Sequence, residues 1–232
     1  MLYLGLLAGV TAGNQAAHRL GINPFRAWAA TLILIVFSLI GARALYVVTH
    51  WSFYRHHLSR IANRRDGGGS LYGGILLALF LSPPLLRLLS LNFGRFWDAA
   101  AFTILVGMIF TRAGCLLNGC CAGRPHQGWL ALSLPNSHGI RCRRIPTQIL
   151  EALWAALLLV AAIFWHRAAP FPGSLFLLLA AGYAAGRFVL ESLRELPSRQ
   201  HDPAGLELAL NCAISLIVVL ASVSTLTLFW RT

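Results

Sequence analysis

Ala99-Ala100-Ala101-Phe102-Thr103-Ile104-Leu105-Val106-Gly107-Met108-Ile109-Phe110-Thr111 runs without a charge into Arg112-Ala113-Gly114-Cys115-Leu116-Leu117-Asn118-Gly119-Cys120-Cys121-Ala122-Gly123-Arg124-Pro125. The first half reads as most of a membrane helix and the second as a polar turn. Arg112 therefore stands where a charge costs roughly 2.5–3.5 kcal/mol if it lies deep, and such a charge needs a partner. Glycines at 114, 119 and 123 let the backbone bend or come close to a ligand, and Asn118 adds a compact amide donor and acceptor. A planar guanidinium matches a phosphate better than an ammonium does. The stretch predicts a helix that ends at a pocket for an anionic lipid head group.

Working outward, the chain has 232 residues, 57% hydrophobic and 11% charged, with mean hydropathy +0.68. That leaves too little polar surface for a soluble globule, so the fold class is an all-α polytopic membrane protein, one domain over residues 1–232. The formal charge is +12, carried by 19 arginines and no lysine. In a soluble chain that excess would point to nucleic acid. Here the arginines lie between or at the ends of apolar runs, which points to anionic membrane lipid and away from nucleic acid. The N-terminus is apolar at once and lacks a basic leader, so it reads as a first span.

About seven segments have the length of a membrane crossing, near residues 1–17, 27–50, 71–91, 98–117, 147–165, 171–190 and 205–230. Asn23-Pro24 marks the turn between the first two. Trp51, Tyr54, Leu58 and Ile61 fall on one stripe, with Arg55, His56, Arg60 and Arg64 opposite. This predicts a short amphipathic helix in the interface plane. Residues 67–74, Gly-Gly-Gly-Ser-Leu-Tyr-Gly-Gly, open the third span, and so many glycines imply close approach of the backbone to something, with Tyr72 at the mouth. Pro83 and Pro84 predict a kink near that helix's end. Residues 93–97 read as a tight return and Asp98 as the cap of span four. Residues 118–146 form the longest loop. Beyond it, Gln148 and Glu151 lie one helical turn apart at the start of span five, and Tyr183, Arg187, Glu191 and Arg194 share one face of span six, where Arg187 and Glu191 can pair. With seven spans, all these polar ends emerge on one side of the membrane.

These residues resemble the prolipoprotein diacylglyceryl transferase family, whose signature reads Gly-Arg-x-Gly-Asn-Phe-x-Asn-Gly-Glu-x-x-Gly-Arg. Arg112, Gly114, Asn118, Gly119, Gly123 and Arg124 match it in register, while Thr111, Cys115 and Cys120 stand where the pattern has Gly, Asn and Glu. Residues 68–74 are similar to its Gly-Gly-x-x-(His/Tyr)-Gly-Gly motif and residues 146–152 to its Pro-Ser-Gln-x-Tyr-Glu-Ala. Tyr183, Arg187, Glu191 and Arg194 fall on its Tyr-x3-Arg-x3-Glu-x2-Arg helix, and Gly41-Ala42-Arg43 with Tyr46 on an earlier element. The resemblance covers residues 41–194 in the family's order.

It implies an enzyme that moves the diacylglyceryl group of phosphatidylglycerol to the cysteine thiol of a lipoprotein precursor, releasing glycerol phosphate. A thiol attacks carbon as its thiolate and so needs a base or a positive field. Arg112 and Arg187 would bind the phosphodiester and stabilise charge on the leaving phosphate. Tyr72 and Glu191 are the candidate proton acceptors, although Glu191 can instead orient Arg187. Gly73, Gly74, Asn118, Gly123, Arg124, Gln148, Glu151, Tyr183 and Arg194 would line the substrate. No cofactor is expected. Cys115, Cys120, Cys121 and Cys142, with His126 and His138, lack a paired C-x-x-C knuckle, so packing or a disulfide to Cys142 is expected and no metal. The positive-inside rule taken alone would turn the arginine-rich motif face to the cytoplasm. The resemblance implies the reverse: a multi-pass protein of the bacterial inner membrane with its active face towards the periplasm or cell exterior. The rival readings are a paralogous phospholipid-dependent transferase with a non-lipoprotein acceptor and a non-catalytic phospholipid-binding or transport protein.

Overall fold

A computed structural model describes residues 1–49, 51–55, 58–61, 71–121, 123–135, 140–166, 168–193 and 204–230. Its helices are α1 (Leu2–Arg19), α2 (Pro24–Thr49), the short α3 (Trp51–Tyr54), α4 (Leu71–Leu88), α5 (Phe93–Leu117), α6 (Thr147–Trp165), α7 (Ser174–Glu191) and α8 (Ala204–Trp230). Each of the seven predicted apolar segments falls on one of the seven long helices. Among the described residues, five of these are long and apolar enough to cross a membrane: Pro24–Thr49, Phe93–Leu117, Thr147–Trp165, Ser174–Glu191 and, within α8, Cys212–Phe229. The protein is a mostly helical, multi-pass membrane protein. Large apolar side chains such as Phe80, Leu157, Phe164 and Ile217 point outward along these helices, the inverse of a soluble protein and the arrangement that lipid requires.

The chain forms two compact units, Met1–Ala16 with Trp97–Thr232, and Ala17–Phe96. In the first, Ala101 and Leu105 of α5, Ala155 and Ala162 of α6, and Leu175 and Leu179 of α7 make a common core. Small residues there let helices pack closely, which in lipid is a main source of helix association. Gly5, Gly9 and Gly13 of α1 do the same against Phe110, Gly107 and Thr103 of α5; a Cβ on Gly9 would lie 2.8 Å from the Thr103 carbonyl oxygen. In the second unit, Asn23 caps α2 by accepting the Arg26 N–H at 3.1 Å, and α2 packs along α4.

Four expectations change. Asp98 does not cap its own helix, because α5 already begins at Phe93, where Asn92 accepts the Arg95 N–H at 3.0 Å. Asp98 lies buried in the second turn of α5 and caps α7 instead, accepting from Gly173 N at 2.7 Å and Phe176 N at 2.9 Å. A carboxylate there meets both free N–H groups and the positive end of the helix dipole. The loop at 118–146 holds a two-stranded antiparallel hairpin, β1 (Leu132–Pro135) with β2 (Arg141–Arg144), so the fold is not purely helical. Among the described residues, the predicted interface helix is helical at α3 and in a 3-10 turn at Leu58–Arg60, while His56 and Arg64 lie outside them. Arg43 draws that segment back: Nε donates to Ile61 O at 2.8 Å, Nη2 to Tyr54 Oη and to Arg60 O, each at 3.2 Å, and its guanidinium lies over the rings of Tyr46 and Tyr54. Tyr54 is consequently buried while Trp51 and Leu58 are exposed, and no common stripe exists. The fourth change concerns Gly73 and Gly74, which lie inside α4. There they face Gly41 and Ser38 of α2, and a Cβ on Gly74 would come within 2.9 Å of the Ser38 carbonyl oxygen. Another helix is what approaches those glycines. Residues 67–70 lie outside the described residues.

Candidate active site

The C-terminal end of α5, the N-terminal end of α6 and the C-terminal end of α7 meet, as three consecutive antiparallel helices require. Their backbones are joined. Gly123 N donates to Ile145 O at 3.1 Å, Ile145 N to Arg124 O at 3.2 Å, and Arg124 N to Leu193 O at 3.0 Å. Gly123 is buried in that seam, and a Cβ there would lie 2.5 Å from the Ile145 carbonyl oxygen and 2.9 Å from Thr147 Cγ2. Glycine is needed at 123 because two strands of chain touch. At the start of α6, the Thr147 hydroxyl donates to Cys121 O at 2.9 Å and Gln148 Nε2 to Cys120 O at 2.7 Å. The first turn of α6 is thereby anchored to the turn that follows α5.

One turn further along α6, Glu151 is the centre of the site. It is 3% exposed. Its Oε2 pairs with Arg112 Nε and its Oε1 with Arg187 Nη1 at 2.6 Å, while Arg187 Nη2 pairs with Glu191 Oε2. Two guanidiniums and two carboxylates thus form one chain of ion pairs with no net formal charge. This is how four ionised groups remain tolerable at the end of apolar helices, since each desolvated charge has an immediate counter-charge. The Tyr183 hydroxyl lies beside Arg112 and donates to Met108 Sδ at 3.5 Å. Gln148 Oε1 is buried and accepts no hydrogen bond among the described residues.

The structure therefore gathers Arg112, Glu151, Arg187, Glu191, Tyr183, Gln148 and Gly123. It leaves Asn118 exposed, with its backbone N–H on Gly114 O at 3.0 Å, and Arg124 exposed on the rim. Tyr72 sits in the first turn of α4 with its side chain outside the described residues, and Arg194 lies outside them entirely. The predicted pairing of Arg187 with Glu191 is present. The sequence places Glu151 among the substrate-lining residues; the structure sets it between the two arginines. Sequence reasoning misses Thr147, for which a hydroxyl one residue before Gln148 is the available signal.

All five cysteines are free thiols, so no disulfide reaches Cys142. The Cys120 thiol is pushed up to about 12, by burial first and then by the crowding of Cys121 and Cys115. At neutral pH it stays protonated, so it cannot accept a proton at the position where the signature carries a glutamate.

The sequence model of the family described as prolipoprotein diacylglyceryl transferase matches residues 1–228. The phosphatidylglycerol–prolipoprotein diacylglyceryl transferase of Clostridium kluyveri is 28% identical over 203 residues, covering 84% of this chain and 78% of the relative. The enzymes of that name from Clostridioides difficile (26% over 197 residues, 84% and 76%) and Streptococcus pyogenes serotype M5 (29% over 195 residues, 82% and 75%) are similarly related. The chain belongs to the prolipoprotein diacylglyceryl transferase family.

Proposed function

We propose that this enzyme transfers the diacylglyceryl group of phosphatidylglycerol to the cysteine thiol of a lipoprotein precursor at the cluster of Arg112, Glu151, Arg187 and Glu191. The observation that carries the reading is the convergence of two helix-borne guanidiniums on one buried carboxylate. In the reaction the thiol sulfur bonds to the glyceryl carbon, the carbon–oxygen bond to phosphate breaks, and glycerol phosphate departs. The thiol proton passes to a base, for which Glu191 and Tyr72 are the available residues. Glu191 Oε2 is already committed to Arg187, which suits Glu191 to orienting Arg187. Arg112 spends Nε on Glu151, and its terminal nitrogens are the donors for the phosphate. Donors fixed in advance around the leaving group are the electrostatic contribution that dominates such chemistry. The open acceptor at Gln148 Oε1 suits a hydroxyl of the glycerol head group.

We further propose seven crossings of the bacterial inner membrane, with the site towards the periplasm or cell exterior. The 18-residue α1 and α4 are each about 27 Å long at 1.5 Å per residue, close to the hydrocarbon thickness. A periplasmic reporter fused after Thr232 should be inactive, and activity would reverse this orientation. The test of the reaction is incubation of the purified protein with phosphatidylglycerol labelled in the diacylglyceryl group and a peptide bearing a lipobox cysteine. Labelled peptide supports the proposal. Glycerol phosphate without labelled peptide would assign another acceptor, and lipid binding alone would remove the chemistry.

A further inference from the structure

The turn between α5 and α6 holds a second constellation, which the transferase reading does not use. The Sγ atoms of Cys115, Cys120 and Cys121 all lie within 4.8 Å of one another, and all three are free, half-buried thiols. Local backbone geometry puts them there. Gly119, at φ +66°, ends α5 in a left-handed turn, with Cys120 N donating to Cys115 O at 3.1 Å and Gly119 N to Leu116 O at 3.3 Å. That closing motif brings together the side chains three residues before and two residues after the helix end, here Cys115 and Cys120. Cys121 is itself left-handed at φ +61°, a conformation uncommon for a residue with a Cβ, and its carbonyl is held by Thr147. The outcome is a third sulfur turned back onto the first two.

We propose that Cys115, Cys120 and Cys121 bind one soft, thiophilic cation, with Cu(I) the best match. A thiolate holds such an ion at about 2.3 Å, so three sulfurs around it stand about 3.8–4.0 Å apart, within the separations the cluster already has. Soft thiolate sets select Cu(I) and Zn(II) over harder ions. Three sulfurs complete a trigonal Cu(I) shell, whereas Zn(II) would need a fourth ligand, a place for water. Each thiol releases its proton to solvent as its sulfur–metal bond forms. Because the Cys120 and Cys121 carbonyls carry Gln148 and Thr147, a bound ion would lock the turn onto the helix that bears Glu151.

The experiment uses the full-length protein in detergent, reduced and stripped of metal, titrated without oxygen with Cu(I) in one arm and Zn(II) in another. One Cu(I) retained per chain through gel filtration, with three sulfur neighbours in its X-ray absorption spectrum, is the expected result. Cys121→Ser should lose both that ion and the rise in thermal midpoint it gives, while Cys142→Ser and Cys212→Ser keep them. Zn(II) retained on the same three sulfurs in place of Cu(I) would support the site and change the ion. No retained metal in the wild-type protein, a spectrum without three sulfurs, or uptake indifferent to Cys121→Ser would each overturn the proposal, as would a disulfide within the trio that re-forms in preference to metal uptake.

Discussion

Glu151→Gln is the most informative single change, because it keeps the size of the side chain and removes only the charge that two arginines share. In the structure Glu151 Oε2 pairs with Arg112 and Oε1 with Arg187. After the change Arg187 still has Glu191, while Arg112 loses its carboxylate in a place where its side chain is only 14% exposed. Removing one member of a buried ion pair costs about 3–5 kcal/mol, chiefly through the charge left uncompensated. Partial exposure of Arg112 puts the expectation near the lower end, about 3 kcal/mol. For a chain of this length each kcal/mol shifts the thermal midpoint by about 2–4 °C, so the drop should be about 6–12 °C in detergent. Turnover should also fall about 100-fold, since both guanidiniums lose the group that aims them. A double-mutant cycle with Arg112→Gln separates the pair from general damage, and the combined variant should be at least about 1 kcal/mol less destabilised than the sum of the single changes. A midpoint drop below about 2 °C, with a cycle additive to within about 0.5 kcal/mol, would refute the pairing on which the site is built.

Other changes test other parts of the site and fold. Arg112→Lys should abolish turnover with the thermal midpoint little altered, because one ammonium cannot both hold Glu151 and present a planar fork to a phosphate; near-normal rates would remove that role. Asp98→Ala should destabilise the protein by about 1–3 kcal/mol, from the loss of two charge-assisted hydrogen bonds at the start of α7, and an unchanged melting curve would contradict the cap. Gly73→Leu should fail to reach the folded state in useful yield, because α4 would be driven off α2 at Gly41. Recovery of a normally stable Gly73→Leu protein would show that the two helices do not pack there.

The long helices were legible because a bilayer leaves few choices: an apolar run of sufficient length must be helical to satisfy its backbone. What composition could not locate were the ends. Residues 93–97 contain Gly94 and Arg95 and read as a turn, yet the Asn92 cap starts α5 ahead of them, and that shift of one turn moved Asp98 from the end of its own helix to the end of another. The hairpin was invisible for a related reason. Leu-Ser-Leu-Pro and Arg-Cys-Arg-Arg carry little of the β-branched, alternating pattern that marks a strand, and β2 presents arginines where a sheet usually presents apolar side chains. Its pairing is imposed by the closed seam at Gly123, Arg124 and Ile145.

Part of the candidate site, the polar residues at the ends of α5, α6 and α7, was legible as a set of residues and not as a set of pairs. Spacing along α7 sufficed to match Arg187 with Glu191, since both lie on one helix four residues apart. The matching of Glu151 to Arg112 joins two helices across a long loop, and no local rule reaches that far. Knowing the pairs changes how the two arginines are to be understood. Each terminal nitrogen of Arg187 meets one carboxylate and keeps a second N–H that can serve another acceptor. Arg112 meets Glu151 through Nε, with the Tyr183 hydroxyl beside it. The two guanidiniums, equivalent in the motif, differ in their pairing among the described residues: Arg187 bridges Glu151 and Glu191, whereas Arg112 meets Glu151.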